Sequence, residues 1–467
     1  MKVEQIYTDC LAEAAYYIES KGEAAIIDPL RETQPYIDMA NQNGATIKYI
    51  FETHFHADFV SGHVDLAKKT GAKIVYGPTA ITNFDIIEAV DQQEFKVGDA
   101  TIKVLHTPGH TLESSTFLII DENGKNHGIV TGDTLFIGDV GRPDLAVKSD
   151  LTKEDLAAML FDSLRNKIMP LNDDLIVYPA HGAGSSCGKN MSAETTDTLG
   201  NQKATNYALR EDMTKAEFVA EVLDGMLPPP QYFPKNAMMN KSGYKEIDEV
   251  MNQGNKEIPI FEFQELAKQE DVLVLDVRTE QEFVSAHIPN SMFIGLNGSF
   301  ALWVGALIID VNQKIILIAP EGKEEEAVLR LARVGYDNVL GHLKGGINVW
   351  KIAGNALDAI ESITPEEFES TFSSRLNVLD VRKPGEYDAE HIKGSELFPL
   401  DYINDNFQTI DSNKEYYLHC KGGYRSVAAC SILKAHGYHN IINIEEGFDQ
   451  IIKTSVPTTV YVCPSTL

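Results

Sequence analysis

The sequence predicts a multidomain α/β protein, and three observations lead there. Its 467 residues exceed what one hydrophobic core ordinarily holds, so two or three domains are expected. Strand-like apolar runs alternate with helix-like stretches in the first half, and four of the runs end in histidine or aspartate. In the second half a pattern recurs, 104 residues apart.

Taken in order, residues 24–28 read as a core strand closed by Pro29, and residues 34–43 as a helix ended by Gly44. Residues 47–51 form a buried strand and 63–69 a helix stopped by Gly71. Residues 73–76 form a further strand. Residues 114–120 and 128–130 flank a turn at Asn123-Gly124 and read as a hairpin. The Thr152-x-x-Asp155 pattern starts a helix that runs to residue 164. The stretch from Met226 to Pro234, with three consecutive prolines, favours extended polyproline structure. A first domain is expected over residues 1–244, followed by domains over 245–357 and 358–467.

The strand over 47–51 runs into Thr53-His54-Phe55-His56-Ala57-Asp58-Phe59. Imidazole and carboxylate groups crowded at a strand end are ligands for zinc, iron or manganese. The signal repeats in His106-Thr107-Pro108-Gly109-His110-Thr111, in Thr131-Gly132-Asp133 and in Tyr178-Pro179-Ala180-His181-Gly182, each after a strand-like run. Core packing does not account for four such strand ends.

Composition narrows the function classes. The net charge of −29 disfavours nucleic acid and anionic membrane as partners. No apolar run reaches about 18 residues, so no membrane-spanning helix is expected. The start, Met1-Lys2-Val3-Glu4, lacks the pattern of a signal peptide. Five cysteines in so long a chain suggest reduced thiols and a cytoplasmic protein.

In sequence and order the four motifs resemble the metallo-β-lactamase superfamily, which implies an αββα sandwich with the metal at one edge. Two-zinc members carry a histidine where this chain has Phe59, which cannot ligate, so one open site of two histidines and a carboxylate suits non-haem Fe(II). Gly141-Arg142-Pro143-Asp144-Leu145 resembles the ETHE1-like, persulfide dioxygenase branch. The resemblance places the ligands of one Fe(II) per chain on His54, His110 and Asp133. It makes His56, Asp58 and His181 residues that line the site or hold water, and puts Arg142 near the substrate. Cys187, on the glycine-rich stretch after His181, is a candidate for passing sulfur.

The repeat pairs Asp276-Val277-Arg278 with Asp380-Val381-Arg382, Glu282-Phe283 with Glu386-Tyr387, and His287-Ile288 with His391-Ile392. Both copies resemble rhodanese domains, small α/β units with a central parallel sheet. The second copy has the family's loop, Cys420-Lys421-Gly422-Gly423-Tyr424-Arg425-Ser426, between a strand and a helix. Inward-pointing amides of such a loop stabilise a thiolate, a persulfide or an oxyanion. Cys420 is therefore the expected nucleophile, Lys421, Gly422, Gly423, Tyr424 and Ser426 form the cradle, and Arg425 closes the loop. The first copy has no cysteine. Pairing Pro320 with Cys420 leaves acidic residues in its loop, so it is read as catalytically dead, a spacer or dock.

The whole resembles bacterial persulfide dioxygenase–sulfurtransferase fusions of sulfide detoxification. That implies oxidation of a thiol persulfide (glutathione, coenzyme A or bacillithiol type) by O2 to sulfite, and formation of thiosulfate through Cys420. It also favours a homo-oligomer. Two rival readings are a glyoxalase II-like zinc thioester hydrolase tied to a sulfurtransferase, and a non-catalytic sulfur carrier.

Overall fold

The computed structural model describes residues 1–146, 151–189, 191–226 and 228–463. The chain divides into two compact units. The first is Met1–Ile247 with Ala332–Gly335; the second is Asp248–Leu331 and Tyr336 onward.

The first unit holds two six-stranded sheets. In the first sheet β1 (Lys2–Thr8), β2 (Glu13–Ser20), β3 (Glu23–Ile27), β4 (Thr46–Glu52), β5 (Lys73–Tyr76) and β6 (Ile87–Glu88) lie in sequence order. In the second, β7 (Glu94–Val97), β8 (Ala100–His106), β9 (Ser115–Ile120), β10 (Asn126–Gly132), β11 (Ile176–Pro179) and β12 (Asp197–Thr198) do the same. Side-chain alternation decides the layers. Ala14, Tyr16 and Ile18 of β2 join Phe51, Ile102, Phe117 and Val130 in a core between the sheets. Ala15 and Tyr17 face the other way, under the helices Gln34–Gln42 and His63–Thr70. Leu118, Ile129 and Val177 pack outward against Ala157 and Leu160 of the helix Lys153–Ser163. Burial on both faces of both sheets gives four layers, αββα, as expected.

Local signals held where the chemistry is local. Thr152 caps its helix in a complete capping box with Asp155. Gly71 ends the helix before it in the left-handed conformation, φ 76°. The proline stretch departs from expectation. Leu227 lies outside the described residues, and a helix, Phe233–Ser242, begins within the segment expected to be extended, with a proline in its first turn.

The second unit contains two five-stranded parallel sheets. The first copy orders β13 (Glu257–Ile258), β14 (Val272–Asp276), β15 (Met292–Phe293), β16 (Lys314–Ile318) and β17 (Val339–Leu343) as β13-β17-β16-β14-β15. The second orders β18 (Glu361–Ile363), β19 (Asn377–Asp380), β20 (Glu396–Leu397), β21 (Tyr416–His419) and β22 (Ile441–Ile444) as β18-β22-β21-β19-β20. Position for position these orders are the same. Strand register corrects the sequence pairing of the copies. Asp276 lies beside Ile318, and Asp380 beside His419, so Ala319, not Pro320, takes the place of Cys420.

Each copy keeps a buried Asp–Arg fork. Arg382 binds both oxygens of Asp380 (Nη2–Oδ2 2.6 Å), donates to the Glu390 carbonyl and lies 3.9 Å from the Phe448 ring centre; Arg278 repeats the fork on Asp276. Removing the Arg382 guanidinium leaves the buried Asp380 carboxylate without that hydrogen-bonded partner, with His419 beside it at 3.6 Å. Arg382→Ala should therefore cost about 3–5 kcal/mol in urea unfolding and lower amide-exchange protection in β19 and β21.

Candidate metal centre and thiol site

Four strand ends bring the motif residues of the first unit together. The ligand atoms of His54, His110 and Asp133 all lie within 4.8 Å of one another, and all three residues are buried. Asp133 Oδ2 faces His110 Nε2 at 3.3 Å and His54 Nε2 at 3.9 Å. Its Oδ1 faces His181 Nε2 at 3.6 Å, and His181 in turn lies 3.4 Å from Asp58 Oδ2.

Hydrogen bonds on the far side of the rings fix their protons. The Arg142 carbonyl lies 2.9 Å from His110 Nδ1, and the Ala12 carbonyl 3.2 Å from His181 Nδ1. A carbonyl only accepts, so both rings carry the proton on Nδ1. Thr53 gives its hydroxyl proton to Asp28 Oδ2 at 2.8 Å, so its oxygen accepts from His54 Nδ1 at 2.9 Å. All three Nε2 lone pairs are then left for the site. Burial pulls His54 well below its ordinary pKa, with the neighbouring histidines His56, His110 and His181 adding to this, which favours the neutral ring a ligand needs.

Gly141 explains part of the Gly-Arg-Pro-Asp-Leu segment. Its N–H donates to the Asp133 carbonyl at 3.0 Å, and a Cβ there would stand 2.1 Å from that oxygen. The close approach lets the next carbonyl, that of Arg142, reach His110. The Arg142 guanidinium is held in a fork by Asp144 at 2.7 and 2.8 Å. Its charge is thus largely matched within the loop.

His56 is turned to carboxylates. Its Nε2 lies 3.1 Å from Asp28 Oδ1 and 3.6 Å from Glu52 Oε2, and its ring centre is 4.4 Å from that of Phe59. Burial lowers its pKa, but Asp28, Glu52 and Asp58 outweigh this and push it up to about 9. Phe59 is fully buried, so an apolar ring occupies the position expected to lack a ligand. Cys187 is buried, with its sulfur within 4.8 Å of ligand atoms of Asp133 and His181. Burial raises its thiol pKa well above the ordinary range, and Asp58 and Asp133 add to the rise.

Do these residues fit a metal ion? His110 Nε2, His181 Nε2 and both oxygens of Asp133 are buried and have no hydrogen-bond partner among the described residues. Buried polar atoms are ordinarily satisfied, and a cation among His54, His110 and Asp133 would satisfy His110 Nε2 and the facing Asp133 oxygen. Two imidazoles and a carboxylate suit iron or zinc.

The second site lies at the end of β21. Cys420 is buried, and its sulfur accepts the N–H of Gly423 at 3.1 Å. Gly423 holds φ 99° and precedes the helix Tyr424–Ala435. The Cys420 and Lys421 carbonyls accept the N–H groups of Phe448 and Asp449 at 2.7 and 3.1 Å. Ser426 donates to the Gly423 carbonyl at 2.9 Å, and Arg425 grips both oxygens of Glu386 at 2.6 and 2.9 Å. Lys421 and Gly422 are exposed at the mouth. Cys430 is buried on the same helix, where burial raises its thiol pKa to about 12, and Cys463 is exposed.

Asp28, Glu52 and Glu386 were missed in the sequence. Asp28 had a signal, standing between the apolar run of β3 and Pro29; the structure gives it a positive φ of 52°. Thr53→Val should lower metal affinity about tenfold in chelator competition, since it removes the acceptor of His54 Nδ1. Asp133→Ala should leave the purified chain without its metal.

The metallo-beta-lactamase superfamily profile matches residues 8–181, and the rhodanese-like domain profile matches residues 261–353 and 364–454. The structure of a metallo-beta-lactamase from Staphylococcus aureus subsp. aureus COL is 32% identical, with a TM-score of 0.64, over 73% of this chain and 98% of that one. A hydroxyacylglutathione hydrolase of Tolumonas auensis is 33% identical over 36% of this chain and 60% of its own length. The persulfide dioxygenase ETHE1, mitochondrial, of Homo sapiens is 28% identical over 45% of this chain and 74% of its own length. The chain thus spans less than two thirds of the hydrolase. Its two sheets, its strand-end histidines and aspartate and the matched stretches place the chain in the metallo-beta-lactamase superfamily, with two rhodanese-like domains following.

Proposed function

We propose that the protein oxidises a low-molecular-weight thiol persulfide with O2 at a single Fe(II), and transfers sulfane sulfur through Cys420 to sulfite. One observation carries the first half. His54, His110 and Asp133 present three ligand atoms to one point, while buried Phe59 fills a ligand position of the two-metal relatives. Such a set holds one ion and leaves positions open. When bound, the iron supplies activation of persulfide and oxygen side by side.

This chain's residues do the rest. Thr53 and the Arg142 carbonyl keep His54 and His110 in the ligating tautomer. Arg142, tied to Asp144, positions that carbonyl and contributes a tempered positive charge beside the site. The reaction balances as RSSH + O2 + H2O giving RSH, sulfite and two protons. In the second domain, Cys420 thiolate attacks the outer sulfur of a persulfide, releases the thiol and becomes a persulfide. Sulfite then takes that sulfur, giving thiosulfate and returning the thiolate. The Gly423 amide stabilises the negative sulfur in both forms.

A zinc thioester hydrolase is a second reading, favoured by one feature. Asp133 Oδ1, His181 and Asp58 face one another beside the first ligand set, as a second ion requires. Anaerobic metal analysis and oxygen uptake separate the two. About one iron per chain with persulfide-dependent oxygen uptake is expected. About two zincs with thioester hydrolysis and no oxygen uptake would refute the dioxygenase. Cys420→Ser should leave oxygen uptake intact and shift the product from thiosulfate to sulfite, read by chromatography of the sulfur oxyanions.

A further inference from the structure

The first rhodanese-like copy has no thiol, yet it holds the helix that carries the Cys420 loop. Its strand β15 is the edge of its sheet, and Phe293, buried there, directs its N–H away from that sheet. An unpaired edge amide needs an acceptor. Ser431, on the helix Tyr424–Ala435 of the other copy, provides it at 3.0 Å. One end of the same helix is fixed by Tyr424. Its hydroxyl donates to the Gly295 carbonyl at 2.8 Å, and its ring lies 5.3 Å from that of Phe293. Gly298 closes the seat: a Cβ there would stand 2.6 Å from the Tyr424 ring.

Tyr424 directly follows Gly423, whose N–H points at the Cys420 sulfur. Anything that moves Tyr424 therefore moves that donor. We propose that the thiol-less copy is a positioning element of the Cys420 site, holding Tyr424 through Gly295, Gly298 and Phe293 so that the Gly423 amide stays aimed at the sulfur. The inference rests on Cys420 being the sulfur-transferring thiol, as proposed above. It makes the first copy part of the second copy's active loop, beyond a spacer.

The test uses the full chain and two variants. Tyr424→Phe removes only the hydroxyl. Gly298→Ala lies in the first copy and pushes on the ring. Iodoacetamide labelling of Cys420 across pH, resolved by peptide mass spectrometry, gives the midpoint of thiolate formation. Both variants should shift that midpoint upward and slow Cys420 labelling at neutral pH about three- to tenfold, since the thiolate loses a well-aimed donor. Exposed Cys463 should label at an unchanged rate. Asp271→Asn, which disturbs only a surface pair with Lys314 on the first copy, should leave the Cys420 midpoint unmoved.

An unchanged midpoint in folded Tyr424→Phe overturns the inference, because a merely structural contact would change melting temperature and not the midpoint. Tyr424→Phe adds no atoms, so it carries the test alone if Gly298→Ala fails to fold. Labelling reports Cys420 whatever its natural acceptor. Absence of thiosulfate formation by the unmodified protein would instead refute the sulfur-transfer reading and leave this measurement standing.

Discussion

The first unit is built around a buried carboxylate, that of Asp133. Among the described residues neither of its oxygens meets a hydrogen-bond donor. A buried unpaired charge is costly, and a cation placed there would offset it. The surrounding structure serves that requirement. Strand ends of both sheets deliver imidazoles with their lone pairs pointing inward. A glycine lets a loop lie flat against the Asp133 backbone, and carbonyls behind the rings set the tautomers. The sandwich core between the sheets keeps the strand ends in register, so His54, His110 and Asp133 from three separate segments meet at one point, with His181 beside them.

In the second unit one scaffold occurs twice and its loop cysteine once. Both copies retain the Asp–Arg fork at the same sheet position, but the electrostatics differ. Burial raises the Asp276 carboxyl, and Arg278 does not fully offset it. Burial also opposes Asp380, but there His419 joins Arg382 and the carboxyl falls below its ordinary value. His419 stands beside Asp380 where the first copy has Ile318, and Glu282 adds to the rise of Asp276. The fork is therefore a device of the fold, and the histidine beside it belongs to the copy that carries a thiol.

Much of this could be read in the chain because the ligand residues sit at strand ends, where an apolar run stops at a His or Asp. The Cys420 loop was legible for the same reason: its glycines, arginine and following helix lie in one stretch. Carboxylates that act from a distance were not legible. Asp28 reaches Thr53 across 25 residues and Glu386 reaches Arg425 across 39, and neither partner marks the other in sequence. The pairing of the thiol-less loop went one residue astray because loop length differs between the copies, and only strand register fixes it. Nor does anything in the sequence say that Asp144 folds back onto the Arg142 guanidinium.

The thiol-less loop also bears on how the two copies diverged. Ala319 stands where Cys420 stands, Ile318 where His419 stands, and the following helix begins five residues on, against four in the other copy. Its first turn carries Glu324, Glu325 and Glu326, which favour the helix but oppose any anion held at its start. A single codon change to cysteine would place a thiol among glutamates with no histidine beneath it and an altered loop around it. Several substitutions and a length change would have to arrive together before selection could see any benefit. A thiol restored at position 319 alone would therefore not rebuild the surroundings that Cys420 has.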